Sequence, residues 1–224
     1  MDGRNEATDP GPLGVVLAGG RGSRLGGAKP TTPLAGRPLI SYPLATLAAA
    51  GLEAVVVVKS GTELPDPSGR PPARQAGQRT TVGGVRGETP VIVEPEEPVH
   101  PLAGIVAALR QVGRPLVVLG CDFPFVPPAL ARVLAEAPEP LVVPAPGGEA
   151  QPLVARWTPA LLPALEGALA REEPLRRTVA ALSPRLLDDP ELTRFGDPAR
   201  LFFNVNTPTD LRLAERALSS PGGG

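Results

Sequence analysis

The feature that most constrains this chain is an apolar run, Leu13 to Leu17, that passes straight into a glycine-dense basic loop ending at Lys29. A buried strand followed by such a loop is what an α/β sheet needs to hold a nucleoside triphosphate. Glycine lets the backbone take positive φ and come close to a ligand. Successive N–H groups can then cradle an anion, and Arg21, Arg24 and Lys29 add positive charge to the same place. The loop matches neither common glycine fingerprint. A P-loop lysine is followed by Ser or Thr, whereas Pro30 follows Lys29. A dinucleotide fingerprint starts its helix inside the glycine run, and Pro30 and Pro33 oppose an immediate helix here. The alternative reading is a glycine turn with scattered surface arginines.

The rest of the chain alternates. Strand signals recur at Leu13–Ala18, Glu53–Lys59, Pro90–Glu94, Leu116–Cys121 and Leu141–Ala145, with a further one at Gln151–Trp157. Between them lie amphipathic stretches. Leu39, Tyr42, Leu44, Leu47 and Ala48 suit one helix, Leu102, Ile105, Val106 and Leu109 another, and Leu130, Val133 and Leu134 a third. Helices are also expected over Ala160–Ala170, Pro174–Leu182 and Thr209–Leu218. The pattern implies an α/β fold: three layers, a mostly parallel sheet with helices on both faces, Rossmann-like.

Length allows one domain or at most two, and we expect one from residue 13 to 218, with loose tails at 1–12 and 219–224. The stretch from Gly61 to Glu88 is dense in Gly, Pro, Arg and Thr and breaks the rhythm. Residues 60–88 are therefore expected to be a flexible insertion, with Arg70, Arg74, Arg79 and Arg86 closing over phosphates as the other possibility. Aromatic residues make up only 3% of the chain, so its core must be aliphatic. The net charge of −1 favours neither nucleic acid nor membrane as a partner. The single cysteine, Cys121, excludes an internal disulfide and suits a reducing cytoplasm; it reads as a small buried filler. The single histidine, His100, excludes histidine-cluster metal sites. No apolar run approaches the roughly 18 residues of a membrane span, and none resembles a signal peptide.

Three further places carry chemistry. Asp122 sits just past the strand Leu116–Leu119, where α/β sheets bind ligands, and could hold Mg²⁺ against phosphates; it could equally serve as an Asx turn. Asn204 and Asn206 alternate, so on a strand both would face one way and offer hard amide oxygens to a metal. Capping the last helix is the other use for either. Pro101-Leu102-Ala103-Gly104 opens the clearest amphipathic helix, with free N–H groups and a small residue where a base or ribose could approach. Ahead of it Glu94 could accept hydrogen bonds from guanine N1–H and N2–H₂, while Glu96 and Glu97 read as a solvated turn. Arg156 and the Arg176-Arg177 pair read as solvated surface arginines, or as contacts for an acidic acceptor.

In this order, the pieces resemble the molybdenum cofactor guanylyltransferase family of nucleotidyltransferases. The matching residues are the Leu17-Ala18-Gly19-Gly20 loop with Arg24 and Lys29, Gly36-Arg37-Pro38-Leu39, and Pro101-Leu102-Ala103-Gly104. Cys121-Asp122-Phe123-Pro124 and Asn204-Val205-Asn206-Thr207-Pro208 complete the set. The resemblance implies transfer of GMP from GTP to the phosphate of molybdopterin, with release of pyrophosphate, in the cytoplasm. It implies that Leu17, Ala18, Gly19, Gly20, Gly22, Glu94 and Gly104 bind the nucleotide. It further implies that Arg24 and Lys29 bind the triphosphate and that Asp122 with Asn206 holds Mg²⁺. The substrates would be GTP and the molybdenum cofactor, with a molybdoenzyme or its chaperone as a further partner. The chain departs from the family at Ala28, where Asp is common, and at Val58 with Lys59 next, where an asparagine touches the nucleotide. Glu94 stands for an aspartate, and Gln151-Pro152 for His-Pro. Other readings are a cytidylyl- or sugar-phosphate nucleotidyltransferase of the same fold, or a non-catalytic partner that binds the cofactor.

Overall fold

A computed structural model describes residues 11–19, 29–65, 81–84 and 87–219 of the chain. Ten strands are present among them: β1 (Leu13–Leu17), β2 (Pro33–Leu34), β3 (Arg37–Pro38), β4 (Ala54–Val58), β5 (Thr81–Gly84), β6 (Gly87–Val93), β7 (Leu116–Gly120), β8 (Leu141–Pro144), β9 (Val154–Trp157) and β10 (Arg185–Leu187). The principal helices are α1 (Ser41–Ala49), α2 (Pro101–Val112), α3 (Pro128–Glu136), α4 (Leu162–Ala170) and α5 (Leu175–Ala181). The short α6 (Asp189–Leu192) and α7 (Pro198–Leu201) lead to the closing helix α8 (Pro208–Ser219).

Eight strands form one sheet in the order β10-β8-β9-β7-β1-β4-β6-β5. Only β9 and β5 run against the rest. The order reverses at β1, whose neighbours β4 and β7 lie on opposite sides, and this is the switch point where open α/β sheets bind ligands.

The central strands are aliphatic on both faces because helices cover both. On β1, β4 and β7 alternate residues part cleanly. Val16, Val56, Val58, Val117 and Leu119 join the core under α1 and α3. Val15, Val55, Val57, Leu116 and Val118 join the core under α2 and α4. This period of two sends every second side chain to one face.

Local signals fix the ends of α2. His100 Nδ1 accepts the Leu102 N–H at 3.1 Å, Pro101 occupies the first helical position, and Gly113 closes the helix at φ +67°. Arg156, expected on the surface, is buried in β9. Its guanidinium donates to the carbonyls of Leu134, Ala135 and Glu139, and so satisfies the orphan carbonyl end of α3.

The structure alters several expectations. Residues 203–206 are not a strand, so the alternation of Asn204 and Asn206 does not set a common face. The last part of the 60–88 stretch is sheet: β5 pairs antiparallel with β6, which begins at Gly87. Residues 66–80, 85 and 86, with Arg70, Arg74, Arg79 and Arg86, lie outside the described residues. Lys29–Thr31 makes one 3₁₀ turn directly before the β2–β3 hairpin. That hairpin turns at Ala35 and Gly36, both at positive φ, as a two-residue primed turn requires.

Trp157 is the chain's one tryptophan, and it is fully buried against the α2–α4 layer. Trp157→Ala should therefore cost roughly 3–5 kcal/mol, read from the urea midpoint by circular dichroism with an unchanged slope.

Candidate active site

Two polar groups lie buried at the carboxyl ends of the parallel strands. The first is centred on Lys29, only 9% exposed. Its Nζ lies 2.9 Å from Asp122 Oδ2 and 2.6 Å from Asn206 Oδ1. Each partner is held by backbone. The Cys121 N–H donates to Leu17 O at 3.0 Å, continuing the β1–β7 pairing into the turn that carries Asp122. The Asp122 carbonyl accepts the Val205 N–H at 2.9 Å, which fixes the segment bearing Asn206. Val205 is itself buried in a small cluster with Leu34, Leu39 and Ala214.

Beyond Asn206, Asp210 and Thr207 form a reciprocal cap on α8. Asp210 Oδ2 accepts the N–H groups of Asn206 and Thr207 at 3.0 and 2.8 Å, and Thr207 Oγ1 accepts the Asp210 N–H. Partial burial pushes the Asp210 carboxyl up. Its hydrogen bonds from Thr207 and from the Asn206 and Thr207 backbone, with the nearby Lys29 charge, outweigh that and hold it below the usual range.

The second group is Glu94, at the end of β6 and only 7% exposed. Its N–H donates to Val58 O, extending the β4–β6 pairing by one residue. Its carboxylate packs between two glycines. A Cβ on Gly19 would collide with Glu94 Oε1, and one on Gly104 would lie 2.8 Å from Oε2 and 3.1 Å from Leu17 Cδ2. A side chain at either position would displace the carboxylate from where it lies. Lys59 Nζ stands 3.6 Å from Glu94 Oε1 and donates to the carbonyls of Pro95 and Glu96 at 2.9 and 3.0 Å. Burial raises the Glu94 carboxyl above the usual value, against the lowering effect of Lys59.

Both groups line one cavity of about 180 Å³, with Leu17, Gly19, Val57, His100 and Gly104 among its walls. Of the residues singled out from sequence, Leu17, Gly19, Lys29, Glu94, Gly104 and Asp122 thus meet in one place, and Asn206 reaches it through Lys29. Ala18 contributes only backbone, since its side chain is buried under α1. Gly20, Gly22 and Arg24 lie outside the described residues. Asn204 does not reach Lys29 by any hydrogen bond, and its Oδ1 is buried without a partner. Glu96 and Glu97 are exposed, as a solvated turn should be. Burial and the neighbouring Asp122 push the Cys121 thiol up to about 12, so it is a filler and not a nucleophile.

Sequence reasoning passed over Lys59 as a site residue, although the signal was present. It follows Val55 and Val57 at period two, so it continues the α2 face of β4. It also gave His100 no place, although His100 lines the cavity while capping α2.

Asp122 and Asn206 present hard oxygens that converge on one cationic atom, Lys29 Nζ. That donor chemistry suits Mg²⁺, which takes few protein ligands and completes its shell with water and phosphate. Among the described residues no cluster of three or more acidic, histidine or cysteine side chains offers a competing site.

A model of the MobA-like NTP transferase domain matches residues 14–186. The chain belongs to this family. It is a nucleotidyltransferase by that membership. A molybdenum cofactor guanylyltransferase from Acidiphilium cryptum is 34% identical over 210 residues, covering 90% of this chain and 92% of that protein. One from Rhodobacter capsulatus is 34% identical over 216 residues, covering 92% and 95%. The crystal structure of molybdopterin-guanine dinucleotide biosynthesis protein A from Archaeoglobus fulgidus superimposes with a TM-score of 0.68 at 27% identity, covering 92% of this chain and 98% of that one. A 2-C-methyl-D-erythritol 4-phosphate cytidylyltransferase from Thermus thermophilus, at 21% identity and TM-score 0.61, shares the fold.

The raised Glu94 carboxyl gives a signed pH expectation. The unfolded chain ionises Glu94 near pH 4.3, whereas the folded chain ionises it higher. Its stability contribution is full below the unfolded value and is lost as pH rises through the folded one. Glu94→Gln removes that loss. The melting temperature of the variant relative to the parent should climb between pH 4 and pH 8, and a difference that stays flat or falls would contradict the burial account.

Proposed function

We propose that this protein transfers the GMP moiety of GTP to the phosphate of molybdopterin, releasing pyrophosphate and forming the guanine dinucleotide cofactor. The observation that carries this reading is the shared cavity, which a buried carboxylate, Glu94, and a buried cationic centre, Lys29 with Asp122, both line. Guanine presents adjacent N1–H and N2–H₂ donors, which match the two oxygens of a carboxylate. The names of the curated relatives support the same acceptor and base.

In the reaction, a phosphate oxygen of the acceptor forms a bond to the α-phosphorus of GTP. The bond between that phosphorus and the β-phosphate bridging oxygen breaks, and pyrophosphate leaves with its electron pair. An ionised phosphate needs no general base, so the work is positioning and charge neutralisation. In this reading Gly19, Gly20 and Gly22 bind the nucleotide, Leu17 and Ala18 lie along its base and ribose, and Gly104 leaves room for the Glu94 carboxylate that meets the base. Arg24 and Lys29 carry positive charge to the triphosphate. Asp122 and Asn206 would hold Mg²⁺, which when bound supplies Lewis-acid neutralisation of the phosphate oxygens. A single deeply buried thiol fits a protein that works in the reducing cytoplasm, where a molybdoenzyme or its chaperone would receive the product.

Calorimetric titration with GTP and with CTP, each with and without Mg²⁺, tests the reading. Mg²⁺-dependent binding of GTP in preference to CTP is expected, and equal binding would remove the guanine assignment. In the transfer assay Asp122→Ala should lower turnover by about a hundredfold or more, and an active variant would refute its metal role.

A further inference from the structure

We propose that Lys59 is a specificity-determining residue that donates a hydrogen bond to O6 of the guanine ring, beside the Glu94 carboxylate. The inference rests on the guanine assignment above and extends it to Lys59.

Three observations carry it. First, Lys59 lines the same cavity as Glu94, on the same face of the sheet, because it follows Val57 at period two. Second, its ammonium is positioned. The carbonyls of Pro95 and Glu96 accept from it at 2.9 and 3.0 Å and set the place of the head group. Third, Glu94 Oε1 lies 3.6 Å from its Nζ, an ion-pair separation that leaves the third N–H able to turn to a base lying against the carboxylate. A positioned donor thus stands beside a positioned pair of acceptors. Read along one edge, the site offers donor, acceptor, acceptor.

That order is the complement of one base edge. Guanine shows an acceptor at O6, then donors at N1 and N2. Adenine puts an amino donor where Lys59 already donates. Cytosine and uracil each offer the carboxylate one donor group in place of two adjacent ones. Glu94 alone would tell guanine from hypoxanthine through N2 but would ignore position 6; Lys59 supplies that reading. The ammonium also offsets part of the cost of burying that carboxylate.

6-Thioguanosine triphosphate isolates the contact. It keeps the N1–H and N2–H₂ donors and replaces O6 with a weak acceptor. The protein should bind GTP roughly tenfold more tightly than the thio analogue, as one charge-assisted hydrogen bond requires. In Lys59→Met that ratio should fall to about one. An unchanged ratio in the variant, or a parent ratio of one, overturns the proposal. Thermal melts of both proteins check that the variant is folded, and Lys59→Arg, which keeps a donor, should restore part of the preference. Inosine triphosphate separates this inference from the reading beneath it, since it lacks only N2. A parent that binds it as tightly as GTP refutes the guanine role of Glu94, whatever Lys59 does.

Discussion

The site depends on a lysine taken almost entirely out of water. A buried ammonium is costly unless its charge and its protons are matched. Here Asp122 supplies the charge and Asn206 a second oxygen. The three residues come from the first loop, the end of β7 and the approach to α8. Satisfying one cation therefore draws three remote parts of the chain to a common point. The supporting contacts are ordered accordingly. The β1–β7 pairing sets Asp122, its carbonyl sets Val205, and the cap formed by Thr207 and Asp210 sets the backbone of Asn206. A cationic head group between two hard oxygens also defines a place where a metal ion would be at home.

The second half of the cavity is built by exclusion. Two glycines, one after β1 and one in the first turn of α2, leave a gap that the Glu94 carboxylate fills. The usual argument for glycine in a nucleotide loop is backbone freedom. For these two the argument is volume, because each lacks a side chain where another residue's oxygens lie. Burial raises the proton affinity of that carboxylate and Lys59 opposes the rise. The pair thus places a directional acceptor where water is scarce and hydrogen bonds discriminate most strongly.

Much of this was legible in the sequence. The alternation of valines and leucines in β1, β4 and β7 pointed to a doubly covered sheet, and Pro101 marked the start of α2. Lys29, Asp122 and Asn206 were visible as chemistry, but their mutual contact was not, since no local rule brings together residues so far apart in sequence. Asn204 failed for a definite reason: alternation has meaning only on an extended strand, and residues 203–206 are irregular. Arg156 failed because a lone arginine in a strand pattern looks solvated, and only the fold puts the carbonyl end of α3 within its reach. The β5 strand was hidden by composition, as a stretch rich in glycine and threonine has no apolar period to betray an edge strand.

The distance along the chain between the partners of Lys29 has a temporal consequence. Asp122 lies 93 residues beyond Lys29, and Asn206 lies 177 beyond it. The hydrophobic layers around β1, β4 and α2 can assemble from the first half of the chain, but the ammonium cannot find its second oxygen until residue 206 has been made. Contacts of such long range are made late, since loop closure must precede them. During synthesis the Glu94 half of the cavity can therefore form before the Lys29 half, which stays incomplete until Asn206 arrives.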